Sequence, residues 1–227
     1  MAQAIQAVLL DALGTLVHFE PPAPRLRAVL RDRHGIEVSE AAAEDAIRAE
    51  IAFYRAHLHE GRDAGSLAHL RRRSAEAMRP ALGVSAPVGV LTAALLDSLR
   101  FHAYPDAPPA LRALRALGLR IIVVSNWDHS LHERLVETGL AALVDGAVAS
   151  AEIGAAKPDR AIFDRALELA GAPADAALHV GDSPEADAAG ALAAGLRAVL
   201  VARDGLPSGP LGVRVIASLA ELPALCQ

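Results

Sequence analysis

The sequence predicts an α/β protein whose parallel sheet is covered by helices on both faces and interrupted once by a long helical insert. Three observations support this class. Short apolar runs recur along the chain, and several end in Asp, Ser-Asn or Gly-Asp. From Tyr104-Pro105-Asp106 onward these runs alternate with segments of helical periodicity, the pattern of a parallel sheet with crossover helices. Between the first run and the rest, about Val17 to Arg100, the chain is rich in Ala, Arg, Glu and His, has helical periodicity and shows no convincing strand. The domains that follow are a core from 1–16 and 101–227 and a helical insert from 17–100.

Ala7–Leu10 (AVLL) ends at Asp11 and reads as a buried parallel strand. Gly14 permits a tight turn directly after it. Pro21, Pro22 and Pro24 mark the entrance of the insert, and Gly83, Pro87 and Gly89 break it internally. Beyond it, Leu111–Leu117 reads as helix and Leu119–Val124 as a strand ending at Ser125-Asn126. Ser130–Thr138 reads as helix and Ala147–Ala149 as a short strand. A helix over Asp159–Ala170 follows Pro158, a good first-turn residue. Leu178–Val180 is a strand ending at Gly181-Asp182. Glu185–Ala194 reads as helix with Gly195 as its C-cap. Arg197–Val201 is a strand, and Val213–Ile216 is a candidate for another.

Composition narrows the function classes. With 53% hydrophobic residues the chain can bury a real core. Net charge is −5 and the short run Arg71-Arg72-Arg73 reads as a solvated helix face, so no nucleic-acid partner is expected. No apolar run approaches ~20 residues, so no membrane span is expected. The first apolar stretch meets Asp11 too early for a signal peptide, and Cys226 is the only cysteine; both fit a cytoplasmic protein. The sequence carries no signal for oligomeric state. Lys157 is the only lysine in a chain that otherwise uses arginine.

Polar groups at the carboxyl ends of parallel strands share one crevice. Here they are Asp11, Ser125, Asn126, Asp182 and Asp187, with Lys157 in reach just before a helix. The chain has no Gly-x-Ser-x-Gly elbow, and no Gly-x-x-x-x-Gly-Lys or Gly-x-Gly-x-x-Gly phosphate loop. A carboxylate can attack phosphorus or carbon and form a covalent intermediate. Several acids facing one point can hold Mg²⁺, a hard cation that would offset repulsion between Asp11 and a substrate phosphate. The Ser125 hydroxyl and the Asn126 amide can donate to phosphoryl oxygens, and Lys157 adds a point charge.

Four segments carry a resemblance. Asp11-Ala12-Leu13-Gly14-Thr15-Leu16, Val124-Ser125-Asn126, Gly154-Ala155-Ala156-Lys157-Pro158-Asp159 and Gly181-Asp182-Ser183-Pro184-Glu185-Ala186-Asp187 resemble, in order, the four motifs of the haloacid dehalogenase superfamily. The resemblance covers nearly all of the chain outside the insert. It implies a Rossmann-like core, a helical cap inserted after the first motif, and hydrolysis of a small-molecule substrate, a phosphate ester or a haloacid. It implies Asp11 as nucleophile, Ser125 and Lys157 as phosphate ligands and Asp182 as a Mg²⁺ ligand. Gly14 and Thr15 stand with the phosphate-binding set, and Asp187 with the metal set.

Leu13 departs from the pattern. Phosphatases of this family carry an Asp there that protonates the leaving alcohol, and general acid–base help is worth roughly 10²–10⁴-fold. The carbonyl that this position gives to Mg²⁺ is still present. One reading is a phosphatase without its usual acid, favouring good leaving groups or borrowing a proton donor; His18, His57, His59 and His69 are candidates. Another is a 2-haloacid dehalogenase, which expels halide and needs no acid; Arg48 and Tyr54 loosely resemble a dehalogenase cap pattern. A phosphonoacetaldehyde hydrolase needs a cap lysine, and the insert has none. A degenerate, ligand-binding chain would have no need of Asp11. Gly181-Asp182 with Asp187 resembles the metal-binding phosphatase form and favours the first reading. So do Trp127 and Phe163, where dehalogenases tend to have glycine and tyrosine.

Overall fold

The computed structural model describes residues 4–203, 205 and 212–227. The chain forms two compact units, Met1–His18 with Ala103–Gln227, and Phe19–His102. Each boundary falls two residues later than the sequence reading set it.

The first unit is built on a six-stranded sheet: β1 (Ala7–Leu10), β4 (Arg120–Ser125), β5 (Gly146–Ala149), β6 (Ala177–Gly181), β7 (Arg197–Val201) and β8 (Arg214–Ile216). Their order is β5-β4-β1-β6-β7-β8, and the pairings are parallel. The apolar run of β1 is fully buried because it lies at the centre, with Leu10 beside Val123 on one side and Val180 on the other. Alternate residues Leu9, Ile122, Val124 and Val148 pack against Ile162, Phe163, Ala166 and Ala170 of α8 (Arg160–Ala170). Helix α5 (Ala107–Ala116) buries Ala107, Ala110, Leu111 and Leu114. The strands of this parallel sheet all end at the same edge, which carries Asp11, Ser125 and Asp182.

The second unit is a bundle of α1 (Pro22–His34), α2 (Glu40–His57), α3 (Ala64–Leu82) and α4 (Val88–Ser98). Its ends follow the local chemistry. Prolines occupy the first turn of α1, and Ser39 caps α2 by accepting from the Ala42 amide at 3.1 Å. Asp63 and Ser66 form a reciprocal capping box on α3. Gly83 ends α3 at φ +63°, while Gly89 lies inside α4 rather than breaking the bundle. Leu26, Leu30, Ala46, Ile47, Met78, Leu91 and Leu95 form its core.

Three local expectations are corrected. Val17–Phe19 (β2), read as part of a strandless segment, is a strand paired with β3 (Phe101–Ala103). The helix expected from Asp159 starts one residue later, because the Asp159 carboxylate accepts from the Ala161 amide at 2.9 Å and acts as N-cap. Glu185–Ala194 is not one α-helix. Pro184–Ala189 forms a wide π turn, with the Ala188 amide reaching the Ser183 carbonyl, followed by the short α9 (Gly190–Ala193). Ala194 caps α9, and Gly195 follows it at φ +88°.

One charge in the bundle is set mainly by burial, which outweighs an opposing contribution from Ser74. Glu50 on α2 is 8% exposed, and burial pushes its carboxyl up to about 7. The folded state therefore holds this proton up to about pH 7, whereas an unfolded chain releases it near the ordinary value of 4.5. The resulting stability is full below pH 4.5 and lost as pH rises through 7, a change of about 3 kcal/mol. Denaturant titrations of the wild type and Glu50→Gln at pH 5 and pH 8 should show the variant gaining relative stability at the higher pH. Parallel pH dependence in the two proteins would contradict this assignment.

Candidate active site

The first strand delivers Asp11 to the sheet edge, where its amide donates to the Val180 carbonyl at 2.9 Å. Gly14 follows at φ +88°, a left-handed conformation that glycine adopts without penalty. The turn closes on itself: the Gly14 amide donates to the Val17 carbonyl, and the Thr15, Leu16 and Val17 amides all donate to the Ala12 carbonyl. The Gly14 and Thr15 amides are thus engaged within the turn, and the buried Thr15 hydroxyl has no partner among the described residues. Leu13 projects from this turn, 38% exposed.

Lys157 is the centre of the constellation. Its side chain is buried, and Nζ donates to Asp11 Oδ1 and to Asp187 Oδ1, each at 2.6 Å. The Ser125 hydroxyl, at the end of β4, donates to the same Asp11 oxygen at 3.0 Å. Asp11 Oδ1 therefore has two donors, and among the described residues none meets Oδ2. Asn126 braces the lysine from behind. Its side-chain oxygen accepts from the Lys157 amide at 2.7 Å, and its Nδ2 donates to the Lys157 carbonyl at 3.0 Å.

Asp187 is held on three sides. Besides Lys157, its Oδ1 accepts from His179 Nε2 at 2.8 Å, and its Oδ2 accepts from the Ser183 amide at 2.9 Å. That geometry assigns His179 the tautomer with its proton on Nε2; the buried Nδ1 has no partner among the described residues. The His179 ring packs edge-on against Phe163 at 5.1 Å. The wide turn brings Asp187 over Gly181, where a Cβ would lie 2.1 Å from the Asp187 Cγ. Asp182 crowds Gly14 in the same manner, with its Oδ2 2.2 Å from the point a Cβ would occupy. Oxygens of Asp11, Asp182 and Asp187 all lie within 4.8 Å of one another.

The charges are mutually dependent. Burial raises the Asp11 carboxyl to about 6, opposed by the Lys157 ammonium and reinforced by Asp187 and Asp182. Burial and the nearby Asp187 also raise Asp182. Burial works against ionised Asp187, but the bonds from His179 and the charge of Lys157 prevail and hold it well below the usual carboxylate range. Lys157 is raised above its ordinary value in spite of burial, because two carboxylates face it. Burial lowers His179, in keeping with a neutral ring. The ammonium thus stays charged in a place that would neutralise an isolated one.

Other expected residues have local partners of their own. Trp127 is buried, its amide donating to Ser150 Oγ and its Nε1 to Ser130 Oγ. His18 packs against the Tyr104 ring at 4.9 Å. In the helical unit, Arg48 pairs with Asp45, His57 Nδ1 lies 2.7 Å from the Phe53 carbonyl, and His69 meets Arg72. Arg203 was not apparent from the sequence, since arginine is abundant and its partners are far along the chain. Its guanidinium reaches the Gly14 and Thr15 carbonyls and Asp106.

Comparison with known proteins identifies the family. The family model of haloacid dehalogenase-like hydrolases matches residues 5–195. Haloacid dehalogenase-like hydrolase domain-containing protein 3 from Homo sapiens is 31% identical over 99% of this chain and 96% of that protein. Its counterpart from Danio rerio is 35% identical over a shorter match, 61% of this chain and 64% of that protein. A phosphoserine phosphatase from Thermus thermophilus is 32% identical over 82% of this chain and 76% of that enzyme. Among solved structures, a 2-haloacid dehalogenase from Pseudomonas syringae is similar with a TM-score of 0.69 and 27% identity, covering 97% of both chains. A magnesium-bound hydrolase from Bacillus subtilis shares the fold with a TM-score of 0.72 at 20% identity, covering 99% of this chain and 100% of that one. No helix among the described residues is long and apolar enough to cross a membrane. The chain belongs to the haloacid dehalogenase-like hydrolases.

Proposed function

We propose that the protein is a Mg²⁺-dependent phosphatase that acts on a small phosphorylated metabolite through an aspartyl phosphate. The observation that carries this reading is the convergence of three carboxylates, Asp11, Asp182 and Asp187, within 4.8 Å beside one buried ammonium. One lysine leaves that group of charges net negative, and oxygen donors of this kind suit Mg²⁺. Asp11, Asp182 and the Leu13 carbonyl would hold the ion, which when bound supplies positive charge to the phosphoryl group. Both Asp187 oxygens already accept hydrogen bonds, so its task is to orient Lys157 and the Asp182 loop.

In this reading an Asp11 oxygen attacks phosphorus, and the bond from phosphorus to the leaving oxygen breaks with its electron pair on that oxygen. Ser125 and Lys157 turn their donors to the phosphoryl oxygens. Water then cleaves the aspartyl phosphate and regenerates the Asp11 carboxylate with release of inorganic phosphate. The leaving oxygen needs a proton unless it is a stable anion, and Leu13 has none to give. Substrates with good leaving groups are therefore favoured. The similarity to a phosphoserine phosphatase supports phosphoryl chemistry on a small molecule. In this reading the helical unit Phe19–His102 is the cap that selects the substrate.

A second reading rests on Leu13 together with the 27% identical dehalogenase. There Asp11 would displace halide from a 2-haloacid, a step that requires neither acid nor metal.

Three measurements decide between them. Phosphate release from an aryl phosphate should require Mg²⁺ and vanish in Asp11→Asn; full activity in EDTA would sink the phosphatase reading. Leu13→Asp should raise turnover of alkyl phosphates by roughly 10²–10⁴-fold, the value of a restored general acid; an unchanged rate would mean that more than a proton donor is missing. A panel of 2-haloacids assayed without metal should yield no halide, and metal-independent halide release dependent on Asp11 would establish the dehalogenase instead.

A further inference from the structure

We infer that Arg203 is a positioning residue for the nucleophile loop: it fastens the turn after Asp11 to the segment where the chain re-enters the core. Arg203 lies two residues beyond β7 and its side chain is 15% exposed. Nε donates to the Gly14 carbonyl at 3.2 Å, and Nη2 to the Thr15 carbonyl at 2.6 Å. The same guanidinium meets Asp106 with two prongs, Nη1 to Oδ2 and Nη2 to Oδ1, both at 3.1 Å. Its flat face lies over the Tyr104 ring, 3.5 Å from the centroid. Four of its five N–H groups are thus employed, in a fork that a lysine ammonium cannot reproduce.

Each partner is itself held. Asp106 Oδ2 also accepts from the Ser218 hydroxyl at 2.7 Å and the Leu219 amide at 2.9 Å, so the carboxylate is fixed before it meets the arginine. Burial would raise the Asp106 carboxyl, but the bonds from Arg203, Ser218 and Leu219 together lower it. The Tyr104 amide donates to the Leu16 carbonyl at 2.9 Å, which joins the two segments a second time. Gly14 and Thr15 are separated from Tyr104 by the whole helical unit in sequence. Arg203 joins both segments from the far end of the chain.

The place of this clamp gives it a catalytic consequence. Gly14, whose carbonyl it holds, is the residue against which Asp182 packs without room for a Cβ. Leu13, the carbonyl assigned above to Mg²⁺, precedes it directly. A shift of this turn moves Leu13 and the seat of Asp182 together, while leaving the Lys157–Asp11 pair in place. The kinetic part of this inference rests on the phosphatase reading; the part that concerns the turn does not.

The test uses the full chain with Arg203→Ala and Arg203→Lys. Amide hydrogen exchange of Gly14, Leu16 and Val17 should quicken by at least about tenfold in Arg203→Ala, with β1 and β6 unchanged. Unchanged exchange in the turn, or an equal increase throughout the core, would overturn the clamp. On an aryl phosphate, Arg203→Ala should need about tenfold or more Mg²⁺ for half-maximal rate, with KM for substrate little altered. Guanidinium chloride at low millimolar concentration should restore part of the lost rate in Arg203→Ala and none in wild type, and Arg203→Lys should recover less than half of it. A Mg²⁺ requirement identical in wild type and both variants would refute the catalytic consequence. If the wild type itself releases no phosphate, the phosphatase reading fails, and the exchange experiment alone decides the clamp.

Discussion

The buried ammonium of Lys157 is the interaction on which the site depends. Two carboxylates, Asp11 at the end of β1 and Asp187 in the turn after β6, could not lie so close in a dry interior without it. Nor could the lysine remain charged there without them. Removing one member of such a set leaves an unbalanced buried charge, the costly outcome, whereas the complete set is near neutral in its net effect on stability. The contribution of the arrangement therefore lies in what it positions. It fixes one oxygen of Asp11 and leaves the other open.

The scaffold explains how three distant segments meet at that lysine. A parallel sheet brings all its strand ends to one edge, and β1 at the centre has β4 and β6 as immediate neighbours. Ser125 and Gly181-Asp182 therefore flank Asp11 by topology alone. Lys157 arrives from a loop held by Asn126, so the second motif controls the third. The deeper support runs through His179 and Ser183, which anchor Asp187 and through it the ammonium.

Much of this was legible in the sequence, and the exceptions have physical reasons. Strand ends were visible because apolar runs stop abruptly at Asp11, Ser125 and Asp182. The helical insert showed its period over many turns. Six residues from Pro184 to Ala189 cannot distinguish a π turn from an α turn by pattern, so the wide turn was hidden, and with it the way Asp187 folds back over Gly181. The three-residue strands β2 and β3 are too short to show alternation. His179 reads as a core histidine, and only its geometry reveals the bond to Asp187. Arg203 makes half of its hydrogen bonds to carbonyls, and a carbonyl leaves no trace in residue type.

Gly181 and Gly14 carry a consequence of a different kind. Each marks a place where a carboxylate fills the volume that any other residue would claim for its first carbon. The two acids are thus located by hollows in the opposing backbone as much as by bonds. Such hollows restrict the amino-acid alphabet at those two positions to a single letter, while Leu13, one residue away on the open side of the same turn, is sterically at liberty. A lineage could therefore exchange the proton donor for an apolar group, or restore it, without disturbing the seats of the acids. In the proposed phosphatase reading, leaving-group preference would rest on Leu13 and the seat of Asp182 on Gly14, separable parts of one short loop.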